Sequence, residues 1–325
     1  MAFKKLPCQI AGSVLAVCVA TGALAQAAYP AKPVKIVVPY SAGGPADIYA
    51  RFVGDRLQKA LGHPFVIENR PGAGAIIGTD AAAKSAADGY TLLMMSNTHT
   101  VNESLFTKKP YSLMRDLAPI SPINYSDLLL VVHSSVPANN LKELIALAKS
   151  KPGALNYASS GPGTPYHMAG ELFKAMAGID VVHVPHKGSA EARTSVLAGD
   201  VQMMFDAITT MAPLAQAGKV RAIATSGKTR SSITPGVPTL DEAGLPGYDA
   251  VIWLGIMAPT ATPKPIVDML NSEIQKIVSL PDVKDVWAKQ GAVPMRMTPA
   301  EFGKFMEQDI QKWAKVVKFS GAKVD

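Results

Sequence analysis

Cysteine is almost missing from this 325-residue chain: Cys8 and Cys18 are its two copies, and both lie within the first 25 residues. If those residues are removed, the mature chain has no disulfide, no thiolate metal ligand and no thiol nucleophile. Basic runs interleaved with aromatics are also lacking. The 32 lysines and arginines are scattered, which argues against a nucleic-acid partner. There is no His-Glu-x-x-His zinc motif and no Gly-x-Ser-x-Gly nucleophile elbow, so a hydrolase would need an unmarked triad. No long low-complexity or acidic tract suggests disorder, and at 48% apolar residues the chain can fill ordinary cores.

What is present begins with an export leader. Lys4 and Lys5 form a positive segment, residues 10–20 an uncharged and mostly apolar one, and Ala23-Leu24-Ala25 a small-x-small cleavage site that would leave Gln26 first. The apolar run is too short for a spanning helix. Lipoprotein processing at Cys18 is disfavoured by Val17, which stands where a small residue is usual. A signal peptide over 1–25 and a periplasmic location are therefore expected. The formal charge is +7; residues 1–25 carry two lysines and no acid, so 7 − 2 leaves +5, an excess that suits anionic ligands.

From residue 34 onward, short apolar runs alternate with amphipathic segments. Strands are expected over 34–38, 65–68 and 91–95, with helices over 47–61 and 75–87. In the first helix Tyr49, Val53, Leu57 and Leu61 lie one turn apart and Gly62 is the stop. The pattern restarts with strands over 128–133, 155–158, 181–184, 201–205 and 220–225, and helices over 140–150, 165–177 and 190–198. Residues 226–249, rich in Gly, Pro, Ser and Thr, read as loop. A strand over 251–257 precedes two or three more helices. The last helix opens on the capping box Thr298-Pro299-Ala300-Glu301 and carries a docking stripe of Phe302, Phe305, Ile310, Trp313 and Val317. This order predicts an α/β fold of the two-lobed periplasmic binding protein kind. One lobe is expected from 26–127 with 251–325 and the other from 128–250, with a ligand cleft between them.

Two glycine loops are the most informative segments. Pro39-Tyr40-Ser41-Ala42-Gly43-Gly44-Pro45-Ala46-Asp47 joins the first strand to the first helix, and Ser159-Ser160-Gly161-Pro162-Gly163-Thr164 precedes the helix over 165–177. Glycine lets the backbone approach a ligand closely. Free N–H groups at a helix start, backed by the helix dipole, favour an anion. An ordinary tight turn accounts for either loop alone equally well; one loop per lobe could grip a single carboxylate from opposite sides. Asp47 lies where it can cap the first helix and Thr164 where it can cap the second. His186-Lys187-Gly188-Ser189 is a third candidate, although a solvated lysine is the commoner outcome. Asp206, at the end of its strand, could accept from a ligand hydroxyl or amine, or cap the next helix.

Other motifs only look catalytic. Residues 222–229 match a relaxed P-loop, but residues 230–235 do not form the helix that a P-loop requires. Residues 72–78 have one residue too many for a dinucleotide fingerprint and come after the wrong strand. His167 and Glu171 stand four apart on one helix without an evident third metal ligand, and His183 and His186 are likewise too few. No cofactor and no metal are expected.

Several of these segments, in order, resemble the Bug family, the extracytoplasmic solute receptors of tripartite tricarboxylate transporters. The resemblance covers nearly the whole mature chain. It rests on residues 38–47, on Glu68-Asn69-Arg70-Pro71-Gly72-Ala73-Gly74, on Asp88-Gly89-Tyr90-Thr91-Leu92-Leu93, on residues 160–173, on Lys187-Gly188-Ser189 and on residues 199–206. It implies a Venus flytrap fold that holds a carboxylate through loop backbone and hydroxyls, partly through water, and delivers it to an integral membrane permease. The residues it marks are Tyr40, Ser41, Ala42, Gly43, Gly44 and Asp47 in the first jaw. In the second they are Ser159, Ser160, Gly161, Gly163, Thr164 and His167. Lys187, Gly188 and Asp206 border the pocket, and Asn97 completes the candidate set. The chain departs from the family in having Ala75-Ile76 for Gly-Asn and His186 for an aromatic, which puts the ligand's distal half in doubt. A monomer without enzymatic activity is expected. An exported enzyme acting on a carboxylate, or a partner of a membrane sensor, are the alternatives; turnover would reveal the first and a neighbouring sensor gene the second.

Overall fold

The computed structural model describes residues 1–2 and 29–322, so residues 3–28, with the expected leader core and cleavage site, lie outside the described residues. In chain order the first half comprises β1 (Val34–Val38), α1 (Pro45–Leu61), β2 (Phe65–Asn69), α2 (Ile76–Ala83), β3 (Thr91–Ser96), α3 (Asn97–Leu105), α4 (Leu113–Asp116) and β4 (Leu117–His133). Next come α5 (Leu141–Ser150), β5 (Asn156–Ser159), α6 (Pro165–Ala177), β6 (Val182–Pro185), α7 (Ser189–Ala198), β7 (Met203–Ala207), α8 (Ile208–Gln216) and β8 (Val220–Thr225). The chain closes with β9 (Val251–Pro259), α9 (Lys264–Ser279), α10 (Pro281–Ala288), β10 (Ala292–Pro294) and α11 (Pro299–Ser320).

These strands make two α/β lobes that share β4. In one, β2, β1 and β3 run parallel and β9 lies antiparallel between β3 and the first part of β4, with β10 beyond it. In the other, β5, β6 and β7 run parallel, and the second part of β4 pairs antiparallel with β7 and β8. The inner parallel strands β1, β3 and β7 read as mostly apolar runs because both their faces are covered. Val34, Ile36 and Val38 pack with Tyr49, Val53 and Leu57 of α1 on one side. Gly62 ends α1 at φ +75°, a left-handed cap that glycine adopts without a Cβ clash.

β4 is much longer than the 128–133 expected, and its first part contains Pro119 and Pro122, which supply no ladder donor. The register against β9 shifts beside each of them, so the sheet absorbs both prolines as bulges. α3 was not expected either. Its capping box uses Ser96 with His99 in place of the usual Glu or Gln.

Three crossings join the lobes. β4 passes directly from one sheet to the other. Ser226 pins the return: its hydroxyl accepts from the Leu128 amide at 2.8 Å and donates to the Ala250 carbonyl. α11 is the third link, with Phe302 and Met306 in the first lobe's core and Trp313 in a cluster with residues of the second. Between them Asp309 accepts from Thr100 Oγ1 at 2.5 Å and Trp253 Nε1 at 3.2 Å. The expected docking stripe is therefore what fastens this helix across both halves.

Candidate functional site

The lobes face each other across a narrow cavity of about 30 Å³, open to solvent on one side. Tyr40, Ser96 and Ser160, at the ends of β1, β3 and β5, line it, as ligand crevices in open α/β sheets sit beyond the strand C-termini. The first lobe adds Ser41, Gly44, Pro45 and Ala46, with Ile252 and Leu254 of β9 as an aliphatic wall. The second adds Pro165, Tyr166, Gly188 and Ser189. A neighbouring pocket of about 330 Å³ shares Tyr40 and Ser160 and continues past Gly72–Ala75, Phe106, Gly161 and Thr164 to His186 and Lys187.

The lobes are in contact. Ser41 Oγ donates to the Lys187 carbonyl at 3.3 Å. Gly44 lies so close to Ser189 that a Cβ there would be 2.9 Å from its hydroxyl, and a Cβ on Gly188 would be 2.8 Å from Ser41 Cβ. Gly74 and Gly163 are equally tight against Pro162 and Asn102 of the opposite lobe.

Four helices begin at this cavity. α1 starts at Pro45 after Gly44, α3 after the Ser96 cap, α6 at Pro165 after Thr164, and α7 at Ser189 after Gly188. Each helix start carries roughly half a positive charge. Among the described residues the amides of Ser41, Gly44, Ser160 and Gly188 make no hydrogen bond. With the hydroxyls of Ser160 and Ser189 they form a neutral, donating surface without a cationic side chain in the wall, the kind of surface that favours an anion.

Other loop amides hold the loops in shape. Gly43 N donates to Asp47 Oδ2 at 3.0 Å, Gly161 N to Ser159 Oγ at 3.1 Å and Gly163 N to His167 Nδ1 at 3.1 Å. Thr164 N and Oγ1 both donate to the Gly161 carbonyl, and Thr164 caps α6. The glycine-loop amides left without a partner thus include those of Ser41, Gly44 and Ser160 but not those of Gly43, Gly161 or Gly163.

Behind the wall the polar residues are braced. Asp47 accepts from Arg51 and from Asn69 Nδ2, which also holds the Tyr40 carbonyl. Burial works against the Asp47 charge, but the bonds from Arg51, Gly43 and Asn69 outweigh it and keep the carboxyl below its usual range. Tyr40 OH shares a 2.7 Å bond with Ser96 Oγ, and burial pushes this phenol up to about 12. His167 stacks on His183 with ring centroids 4.2 Å apart, and Ser159 Oγ bonds His183 Nε2 at 2.6 Å. Burial, then the Lys174 charge, holds His167 down to about 4; burial, then His167, holds His183 down to about 3. Both rings are neutral at pH 7.

Of the expected site residues, Tyr40, Ser41, Gly44, Ser160 and Gly188 line the cavity, and Gly161, Thr164 and Lys187 the neighbouring pocket. Ala42 and Gly43 are exposed at the loop tip. Asp47, Ser159, Gly163 and His167 brace the loops from behind. Asn97 gives its Nδ2 to the Val251 carbonyl at 3.0 Å. Asp206 is fully buried and already paired with Arg193 at 2.8 Å. Burial disfavours the Arg193 charge, and Asp206 more than offsets this, holding the guanidinium above its ordinary value. The sequence reading missed Ser96, Tyr166, Ile252 and Leu254. Ser96 was hidden by its unusual capping partner, and the two aliphatics read as core. Ala75, the departure from the family's glycine, sits at φ +75°, a glycine-like conformation.

Glu171 is taken by Tyr157 OH and Lys174, so it is not free to join His167 at a metal. Among the described residues no three His, Cys, Asp or Glu side chains are grouped to hold a metal ion, and no helix is long and apolar enough to cross a membrane.

Comparison with known proteins agrees with this arrangement. The model of the tripartite tricarboxylate transporter family receptor matches residues 49–321. Protein BugT of Bordetella pertussis is 38% identical over 298 residues, covering 91% of each chain. An R. palustris protein solved with adipate is 33% identical, with a TM-score of 0.88 over 90% of this chain and 98% of its own. The periplasmic binding protein BugD is 32% identical, with a TM-score of 0.87 over 91% of this chain and 99% of its own. These relatives are solute-binding receptors, not enzymes. The chain belongs to the tripartite tricarboxylate transporter receptor family, the Bug-type periplasmic solute-binding proteins.

Proposed function

We propose that this protein, exported to the periplasm and freed of its leader near Ala25, captures a small carboxylate between its lobes and delivers it to the membrane permease of a tripartite tricarboxylate-type transporter. It does so as a monomer, with residues 26–127 and 251–325 as one lobe and 128–250 as the other. The observation that carries this reading is the convergence of four helix N-termini and four unbonded amides on one interlobe cavity. Such a site favours a negative group, and the hinge through β4 lets the lobes close on it. The net positive charge and the adipate bound by a relative support the same reading.

The loops at 40–44 and 160–164 hold the carboxylate together with Gly188. Asp47, Ser159, Gly163 and His167 act on the ligand through those loops. A thermal-shift panel of carboxylates tests this. A ligand at 100 times its dissociation constant stabilises the fold by about 2.7 kcal/mol. A flat response across aliphatic and aromatic carboxylates overturns the reading.

A further inference from the structure

The size of the cavity narrows the class of carboxylate, on the reading just proposed. At about 30 Å³ it has room for roughly two or three water-sized atoms, each needing about 10–15 Å³, which is the head of one carboxylate and little more. The body of a larger acid has to lie elsewhere. The neighbouring pocket of about 330 Å³ borders the cavity along Tyr40 and Ser160. Apolar surface dominates it: Pro39, Ala73, Ala75 and Phe106 come from the first lobe and Pro162 from the second. Asn102 Nδ2 holds the Gly74 carbonyl at 2.8 Å, and a Cβ on Gly74 would lie 3.3 Å from the Phe106 ring, so the ring rests directly on that loop. Apart from Ser160, which belongs to the cavity, the polar side chains here are committed or exposed. Tyr40 OH is bonded to Ser96 Oγ, Thr164 Oγ1 donates to the Gly161 carbonyl, and His186 Nδ1 donates to the Val184 carbonyl at 3.1 Å. Lys187 is exposed to solvent.

We propose that this second pocket receives an apolar tail, so that the receptor selects carboxylates with an alkyl or aryl body over acids that carry a second charged end. The carboxylate head fills the small cavity, and the tail passes between Tyr40 and Ser160 into the larger pocket. An alkyl or aryl group that enters it leaves water for an apolar surface. A second carboxylate in the same place would give up its hydration with mostly carbon around it. Head and tail are thus sorted by two adjoining spaces of opposite character, one lined by donors and one by apolar side chains.

The test uses two matched series on the full mature chain by calorimetry: propionate, butyrate, pentanoate and hexanoate; succinate, glutarate and adipate. Affinity should rise about fourfold with each methylene from propionate to hexanoate. Hexanoate should bind at least about tenfold tighter than adipate, its equal in chain length, because adipate buries a charge without a partner. Phe106→Ala removes the largest side chain of the pocket and should flatten the methylene series while leaving propionate unchanged. Ala75→Asn suits the left-handed backbone at residue 75 and puts an amide into the pocket. It should cut the lead of hexanoate over adipate about tenfold. A wild-type series without gain, which is what a tail left in solvent gives, overturns the inference. So does adipate that binds as tightly as hexanoate, the outcome expected if Lys187 or the backbone of residues 72–75 held a second carboxylate. A series and ratio that persist in both variants overturn it as well. If no acid of either series binds, the proposed function falls together with the inference; binding that favours the dicarboxylates sinks the inference and leaves the function standing.

Discussion

Gly188 and Ser41 meet across the cleft at a point where a single methyl group separates closure from folding. Gly188 has φ −171°, an extended conformation open to any residue, so alanine brings no backbone strain. Its Cβ would lie 2.8 Å from Ser41 Cβ and 2.9 Å from Ser41 Oγ. Carbon atoms pack at about 3.5–4.0 Å, so the two lobes would have to stop roughly 0.7 Å or more short of full contact. The hydroxyl can rotate away; the Cβ cannot. Overpacking of this kind costs about 1–3 kcal/mol. The cost falls on the closed state alone, because opening the hinge relieves it. At about 1.4 kcal/mol per tenfold, Gly188→Ala should weaken ligand binding roughly 5- to 150-fold. The empty chain should keep its unfolding free energy within about 0.5 kcal/mol. Gly44→Ala is the graded control: its Cβ would meet only the rotatable Ser189 hydroxyl, so its effect should be smaller. Adding Ser41→Gly to Gly188→Ala removes the clash and should raise the affinity above that of Gly188→Ala alone, less the share lost with the Ser41 hydroxyl's bond to the Lys187 carbonyl. Calorimetry reads affinity, urea titration reads stability and small-angle scattering reads closure. The reasoning is refuted if Gly188→Ala binds like the wild type, if it destabilises the empty chain as much as it weakens binding, or if Ser41→Gly gives no rescue.

Three further outcomes are expected. Burial holds His99 and His167 down to about 4 and His183 down to about 3. Below pH 6.5 the unfolded chain binds protons that the fold refuses until about pH 4. Stability should therefore fall from pH 6.5 to about 4, by up to about 1.4 kcal/mol per unit for each histidine. Asp127, raised to about 6 by burial and then by Asp249, offsets part of this below pH 6, and Asp206 and Asp309, both raised by burial, act in the same direction. Urea titrations at pH 7 and pH 5 check the slope, and His183→Gln should flatten it; a stability that rises on acidification contradicts it. Gly170→Ala would drive a Cβ to within 3 Å of the Tyr157 ring, which α6 packs against β5, and should cost about 3 kcal/mol or more in thermal unfolding. Asp47→Ala removes the acceptor that orders Gly43, Arg51 and Asn69 without touching the cavity, so affinity should drop about tenfold through a looser loop, measured against unchanged closure in the Asp47→Asn variant.

Much of this molecule was legible because its signals are local. α6 runs from Pro165 to Ala177 as expected, since Thr164, Pro165 and Gly178 are a cap, a first residue and a stop that act within one turn. α1 ends at Leu61 because Gly62 comes next. The first half of β4 was not legible: Pro119 and Pro122 forbid regular pairing, and only β9 beside them makes a strand of that stretch. Within the site, the loops could be found from glycines and helix starts, but not which amides stay free. That depends on Asp47, Ser159 and His167 reaching back to particular N–H groups. Arg193 carried no mark at all in the sequence. Its pairing with Asp206 arises from the placement of α7 beside β7, which brings residues 193 and 206 together.

The central claim, that converging helix starts and free amides hold a carboxylate between the lobes, is tested most directly by a crystal structure of the chain with its tightest-binding panel member. The account predicts ligand oxygens about 2.8–3.1 Å from amides or hydroxyls of Ser41, Gly44, Ser160 and Gly188, with both lobes contributing. A carboxylate bound to one lobe only, or held by a cationic side chain outside the cavity, contradicts it.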